Sequence, residues 1–280
     1  MKVAVFGASG FIGKHLVAAL EAKKWEALPL DIRKTADWEQ KLKDADAVIN
    51  LAGHPLFKER WDTRIKALIH DSRVEGTEKI VAALGPKTKV FVNASAIGIY
   101  GTGEEEKDEH SFLANDFLAR VCRDWEDAAK VAERAKKIRT VIIRFGIVLG
   151  KEGGALANLL LPFKLGVGGP IGSGKQSMSW IHVDDAASLL VFAIENEKAP
   201  PIMNATAPEI LSNKEFSKTL GKVLHRPAFL PVPKLGLYAL VGEAAGVIAS
   251  GQRVHPKATQ ESGYTFKFPK LEAALKNILD

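Results

Sequence analysis

The apolar positions of this chain fall into two alternating patterns. Val3 to Phe6 is a continuous, β-branched apolar run, the pattern of a strand buried on both faces. It leads into three spaced glycines, Gly7, Gly10 and Gly13, and then into apolar residues at helical spacing, Phe11, Leu16, Val17 and Leu20. The same succession recurs downstream. Further strands are predicted over Ala27–Asp31, Asp46–Asn50, Lys89–Ala94 and Ile138–Arg144. Between them, Ile65, Leu68, Ile69, Val74, Ile80, Val81 and Leu84 predict one helix from Trp61 to Leu84, with Arg73 in its middle and Gly85-Pro86 at its end. Phe117 to Lys136 reads as a long helix, and the acidic stretch from Gly101 to Glu109 as a solvated loop.

Five strands alternating with helices imply right-handed crossovers and a parallel sheet covered on both faces. The predicted fold is α/β, a Rossmann-type doubly wound parallel sheet with a smaller C-terminal cap. Around Gly150 the composition changes, and Gly153-Gly154, Gly166, Gly168-Gly169-Pro170 and Gly172-Ser173-Gly174 lead away from the sheet. Residues 1–204 are therefore expected to form a dinucleotide-binding domain with a cap insertion near 151–178. A short strand running into an acidic helix start is expected over Ser179–Asp185, and another short strand at Pro201–Asn204. Helices over Asn213–Leu224, Leu235–Ser250 and Lys270–Leu279 make residues 205–280 a mainly helical cap over the sheet edge.

Bulk properties narrow the function. Apolar residues at 46% and charged residues at 26% are ordinary for a soluble globular chain. The net charge of +6 is spread in short pairs such as Lys23-Lys24 and Lys136-Lys137, whereas nucleic-acid binding wants a concentrated stripe. A preference for anionic small molecules is what the surplus leaves. A single cysteine, Cys122, excludes an intramolecular disulfide and a cysteine metal cluster, and the histidines show no HExxH spacing. No metal is expected. No apolar run is long enough for a membrane span and no signal-peptide pattern opens the chain, so a cytosolic protein is expected.

The glycine turn carries the most specific chemistry. Gly7 can make the tight turn at the strand end, Gly10 lets backbone approach a pyrophosphate, and Gly13 lets the helix pack closely on the sheet. The helix N-terminus then presents free N–H groups and a positive dipole end to the anion. Past the second strand, Asp31 can accept from the ribose 2′-hydroxyl of NAD, while Arg33 and Lys34 can pair with the 2′-phosphate of NADP. Leu51, Ala52 and Gly53 are small enough to lie against a flat ligand at the carboxyl edge of the sheet.

These motifs resemble the extended, sugar-nucleotide epimerase-like branch of the short-chain dehydrogenase/reductase superfamily. The matching stretches are Gly7-Ala8-Ser9-Gly10-Phe11-Ile12-Gly13, Asn50-Leu51-Ala52-Gly53, Ser95 with Tyr100-Gly101, Arg144 to Gly150, and Ile181-His182-Val183-Asp184-Asp185. Asp71-Ser72-Arg73-Val74, Gly168 to Gly174 and Ser250-Gly251-Gln252-Arg253-Val254 are similar to an epimerase-like family of NADP-dependent oxidoreductases with its own C-terminal domain. The resemblance implies a nicotinamide cofactor, NADP with NAD as the alternative. It implies a cofactor site made by Gly7, Ser9, Gly10, Phe11, Ile12, Gly13, Asp31, Arg33, Lys34, Leu51, Ala52, Gly53, Arg73, Ala94, Phe145, Gly146 and Ile147.

One departure stands out. The superfamily places a Tyr four residues before a Lys on one helix face, so that the Lys tunes a phenol that exchanges a proton with substrate. Alignment on Glu126 puts Leu118 and Cys122 there, and Arg73 stands at the customary Asn. Ser95 and Tyr100 are the remaining catalytic candidates. Cys122 reads as a small buried helix residue and His182 as a strand histidine. Arg73, Arg120, Arg123 and Arg253 are candidate anion clamps. The sequence therefore supports an NADP(H)-dependent oxidoreductase of unusual site, acting on a small anionic or sugar-like substrate. The competing readings are a dinucleotide-binding regulatory protein without catalysis and, more weakly, a sugar-nucleotide epimerase or dehydratase.

Overall fold

The structure, a computed structural model, describes residues 1–233, 238 and 242–280. β1 (Lys2–Phe6), α1 (Phe11–Ala22), β2 (Glu26–Leu30), α2 (Trp38–Leu42) and β3 (Ala47–Asn50) open the chain. There follow α3 (Thr63–Asp71), α4 (Val74–Ala83), β4 (Val90–Ala96), β5 (Gly103–Lys107), α5 (Phe117–Lys136) and β6 (Arg139–Phe145). Next come β7 (Ile147–Leu149), α6 (Gly154–Lys164), β8 (Ser177–Met178), β9 (Trp180–His182), α7 (Val183–Glu195) and β10 (Ile202–Ala205). The chain closes with β11 (Leu211–Ser212), α8 (Asn213–Leu224), α9 (Ala245–Ser250), β12 (Gln252–Val254), α10 (Lys257–Glu261) and α11 (Leu271–Leu279).

The central sheet is all parallel, in the order β2-β1-β3-β4-β6-β10. It has six strands where the pattern suggested five, because the Pro201–Asn204 segment joins as β10 beside β6. The two-residue alternation in β1 serves both faces. Val3 and Val5 pack with Leu16, Leu20, Leu189 and Leu190, and Ala4 and Phe6 pack with Ile80, Val81, Ala129 and Ala132. Chain order reverses between β1 and β3, which makes the crevice at the carboxyl ends of these strands the expected ligand site of a doubly wound sheet. A third core joins Leu156, Leu160 and Phe163 of the glycine-rich insertion to Phe216, Leu220, Leu271 and Leu275 of the C-terminal helices. Among the described residues no helix is long and apolar enough to cross a membrane.

Three local expectations change. The single helix over Trp61–Leu84 is two helices, broken at Ser72 and Arg73. Asp62 caps α3, its carboxylate accepting from Ile65 N at 2.7 Å, which leaves Trp61 outside. At the break, Ser72 Oγ accepts from His54 N at 2.9 Å, and Arg73 Nη1 donates to Ile69 O at 3.0 Å. Side chains that satisfy main-chain groups in this way compete with the helical ladder. The acidic loop is not simply solvated: residues 103–107 form β5 against β12, Glu104 accepts from Ser177 N at 2.9 Å, and buried Glu109 accepts from Asn204 N at 2.9 Å and Ala258 N at 3.0 Å. Main-chain N–H groups in need of an acceptor recruited these carboxylates. Within the glycine-rich insertion, Gly154–Lys164 is a helix that glycine spacing concealed. The helix expected over Leu235–Ser250 is seen from Ala245, and residues 235–237 and 239–241 lie outside the described set.

Candidate active site at the β1–β3 crevice

The glycine turn uses its glycines for different reasons. Gly7 adopts φ +83°, where a side chain is disfavoured, and a Cβ there would stand 2.9 Å from the Leu51 carbonyl carbon. A Cβ on Gly13 would collide with the Gly7 carbonyl oxygen, so α1 rests directly on the turn. Gly10 has ordinary extended backbone, φ −74°, and a Cβ on it would meet only Gly7 O, at 3.1 Å. No side chain caps α1, which leaves the amides of its first turn for a ligand. The Phe11 ring reaches across to the insertion, where a Cβ on Gly150 or Gly153 would come within 2.6 Å of it. These glycines are small because Phe11 lies on them.

A cavity of about 280 Å³ opens here. Of the residues singled out from sequence, Gly7, Gly10, Phe11, Ile12, Gly13, Leu51, Arg73, Ala94, Ser95 and Phe145 line it. Ser9, Ala52, Gly53, Gly146 and Ile147 do not: Gly53 lies against the Arg73 guanidinium, and Gly146 against Ser179 O. Asp31, Arg33 and Lys34 lie beyond the end of β2, outside the cavity walls. There Asp31 accepts from Arg33 N at 2.8 Å and faces the Arg33 side chain at 3.8 Å, with Arg33 86% exposed.

The far wall belongs to α5. Leu118, Val121, Cys122 and Trp125 line the cavity, so the two residues that the resemblance aligns with Tyr and Lys, Leu118 and Cys122, both face it. Leu56, Ile69, Ala96, Gly98, Val121 and Trp125 were not marked from sequence. Their helical or strand spacing reads as core, and only the sheet's topology turns them toward the crevice. Burial, with the nearby Glu126 charge, pushes the Cys122 thiol up to about 11, against the opposing pull of Arg73.

Ser95 is next to last in β4, in register with Arg144 on β6. Its hydroxyl donates to Glu126 Oε1 at 2.7 Å. Arg144 grips Glu126 through Nε–Oε1 and Nη2–Oε2, both 2.8 Å, with the two side chains 3% and 1% exposed. Arg144 Nη1 then donates to Tyr100 Oη at 2.8 Å, and Tyr100 donates to Asn204 Oδ1 at 2.9 Å. Burial pushes the Tyr100 phenol up. Tyr100 is not on the cavity wall, and both functions of its hydroxyl are engaged. This buried chain, Ser95–Glu126–Arg144–Tyr100–Asn204, was invisible as a unit because five separate elements contribute to it. A second polar set braces the strand ends: Asn50 Nδ2 donates to Thr77 Oγ1 (2.9 Å) and Asn93 Oδ1 (2.8 Å), and Trp125 Nε1 donates to the same Thr77 oxygen at 2.9 Å.

The other cationic candidates lie elsewhere. Arg120 and Arg123 bind Asn115, and Arg253 pairs with Glu106 at 3.1 Å. His182 caps α7, its Nδ1 accepting from Asp184 N at 3.0 Å, and its ring stacks on Phe268 with centroids 4.0 Å apart. A second cavity of about 210 Å³ shares Gly98 and Leu118 with the first and runs past Trp61 and Phe117 toward Gln252. The crevice thus continues toward the C-terminal unit.

Comparison with known proteins agrees with this geometry. Residues 3–206 match the model of the NAD dependent epimerase/dehydratase family, and residues 232–278 match a domain of unknown function, DUF1731. The epimerase family protein SDR39U1 homolog, chloroplastic, of Arabidopsis thaliana is 40% identical, over 100% of this chain and 87% of its own. The epimerase family protein YfhF of Bacillus subtilis is 38% identical, over 100% and 98%. The crystal structure of human epimerase family protein SDR39U1 (isoform 2) with NADPH superposes with a TM-score of 0.93 at 36% identity, covering 99% of each chain. With residues 3–206 matched by that family's model and relatives up to 40% identical along the whole chain, this chain belongs to the NAD dependent epimerase/dehydratase family, within the extended short-chain dehydrogenases/reductases.

Proposed function

We propose that this chain is an NADP(H)-dependent oxidoreductase that works on a small anionic or sugar-like substrate without the usual Tyr and Lys. The observation that carries the reading is one cavity walled at one end by Gly7, Gly10 and Gly13 and at the other by Ser95 and Phe145. A dinucleotide laid across the sheet's reversal point spans that distance in folds of this type. The open space off Gly10 and the uncapped α1 fit a pyrophosphate. Ser9, Gly10, Phe11 and Ile12 would hold it, Arg33 and Lys34 the 2′-phosphate, and Leu51, Ala52, Gly53 and Ala94 the ribose edges. Phe145, Gly146 and Ile147 would flank the nicotinamide. The NADPH in the human relative supports the choice of cofactor. When bound, the nicotinamide gives or takes a hydride.

The chain's own residues handle the substrate oxygen. Since the Ser95 proton points to Glu126, Ser95 Oγ offers lone pairs to the cavity, and it orients a substrate hydroxyl by accepting from it. Leu118, Val121 and Trp125 keep water from the reacting atoms.

A second reading, a dinucleotide-binding regulatory protein, is favoured by Leu118 and Cys122 on the catalytic face and by the engagement of Tyr100. An epimerase or dehydratase is the weaker alternative, because those reactions use the same missing Tyr. Paired titrations with NADPH and NADH at fixed ionic strength test the cofactor, on the native protein and on Arg33→Ala. NADPH is expected to bind more tightly, and Arg33→Ala to erase part of that preference. Equal or tighter NADH binding would make Asp31 the determinant. Reduction of bound NADP+ by alcohols bearing carboxylates or further sugar hydroxyls then separates the enzyme from the regulator.

A further inference from the structure

Arg73 lines the cavity without a carboxylate partner among the described residues. Arg144 is held by Glu126 and Arg253 by Glu106, and Arg33 faces Asp31. Among the described residues no carboxylate lies within ion-pair distance of Arg73. Its Nη1 is taken by two main-chain carbonyls, Ile69 O at 3.0 Å and His54 O at 3.1 Å. Nε and Nη2 donate to no group among the described residues. The guanidinium carbon lies 5.2 Å over the Trp125 ring. A Cβ at Gly53 would stand 3.0 Å from the same carbon, so the group packs against both an indole and a bare backbone. Burial draws its pKa below the usual guanidinium value, yet the group stays charged at any physiological pH.

A half-buried cation without a counter-charge still costs a fold part of its hydration. The same cavity wall carries Ser95, Cys122 and Leu118, none of which offsets a positive charge. The two free donors form one edge of a planar fork, the geometry that takes two oxygens of one anion.

We propose that Arg73 is the oxyanion receptor of this cavity, its Nε–Nη2 edge binding a carboxylate or phosphate group beside Ser95. The anion comes either from the substrate or from the cofactor's own phosphates. Only that assignment rests on the dinucleotide reading; the receptor itself does not. Arg73 therefore selects anionic ligands, and an uncharged sugar would leave its edge unpaired.

The test uses inorganic phosphate and malonate as probes, read as thermal shifts of the native protein, Arg73→Lys and Arg73→Gln, each without and with saturating NADPH. NADPH affinity is measured on all three. The expected result is stabilisation of the NADPH-bound native protein by a probe, a smaller shift in Arg73→Lys, which keeps the charge and loses the fork, and none in Arg73→Gln. NADPH affinity that changes less than about 3-fold, well under one decade, assigns the anion to the substrate. A loss of about 10-fold or more in Arg73→Gln, with probes acting only on the NADPH-free protein, assigns it to the cofactor and equally supports the receptor. Equal probe shifts and equal NADPH affinity in native protein and Arg73→Gln overturn the proposal. So does a lower melting point of ligand-free Arg73→Gln with unchanged ligand responses, the mark of a residue that only ties α3 to α4. If Arg73→Gln does not fold, Arg73→Lys decides on the same readouts. Failure of the native protein to bind NADPH would sink the oxidoreductase reading alone, since the probes still report on Arg73 in the free protein.

Discussion

Ser95 Oγ donates to Glu126 Oε1 at 2.7 Å, onto the same oxygen that accepts from Arg144 Nε at 2.8 Å. A serine on the cavity wall is therefore anchored to a buried ion pair, which ties the cavity's polar end to the stability of the sheet. Removing one partner of a buried pair leaves the other charge unpaired, and that costs about 3–5 kcal/mol. Glu126→Ala is expected to lose that much in urea unfolding, and Glu126→Leu combined with Arg144→Met to lose far less than the two single changes together. A single-variant loss under about 1 kcal/mol, the range of exposed pairs, would contradict the role assigned to Glu126.

The turn glycines separate binding from folding. Gly10→Val puts its side chain where the protein has only Gly7 O at 3.1 Å, so the fold should survive while NADPH affinity drops by about 10-fold or more, equal to roughly 1.4 kcal/mol. Gly13→Val drives its Cβ into the Gly7 carbonyl oxygen and Ala8 and should instead lower the melting temperature sharply. Unchanged calorimetric affinity in Gly10→Val would remove this turn from the ligand site.

Cys122 is expected to be chemically quiet. With the thiol at about 11, the thiolate fraction at pH 8 is on the order of 1 in 1,000, and reactivity follows the thiolate. Iodoacetamide at that pH should label the folded protein far more slowly than the urea-unfolded chain, as read by intact mass. Rapid labelling of the folded state would reinstate Cys122 as a nucleophile.

His70 gives stability a small pH dependence. Its Nδ1 lies 2.9 Å from Asp71 and its Nε2 3.1 Å from Asp124 on α5. The Asp71 hydrogen bond, with Asp124, raises its pKa in the folded state against the effect of burial. A raised folded pKa means that this contribution is fully present below the unfolded value near 6.5 and is lost as pH rises through the folded one. All three side chains are more than a third exposed, so water screens the effect to below about 1 kcal/mol. The stability gap between native protein and His70→Gln should be larger near pH 6 than near pH 9. A gap that widens toward alkaline pH would reverse this reading.

Much of the site could be read from local signals. The strand–glycine–helix succession at Val3–Leu20 depends on spacing within one supersecondary unit, where chain geometry alone decides which backbone meets a phosphate. The resemblance, aligned on Glu126, likewise sufficed to set Leu118 and Cys122 at the positions that elsewhere carry Tyr and Lys, and so implied a missing proton relay. What needed tertiary structure is the partner of each polar group. Tyr100 was a candidate acid until Arg144 and Asn204 were seen to occupy its hydroxyl. Ser95 was a catalytic candidate of open role until its proton was found on Glu126. Glu109 belonged to a solvated loop until the amides of Asn204 and Ala258 required it. Arg73 sat in mid-helix until the carbonyls of Ile69 and His54 drew it to a break facing the cavity. The reason is common to all four. Periodicity reports which side of an element is apolar, a property of neighbours along the chain, whereas a hydrogen-bond or ion-pair partner is chosen by packing between elements far apart in sequence.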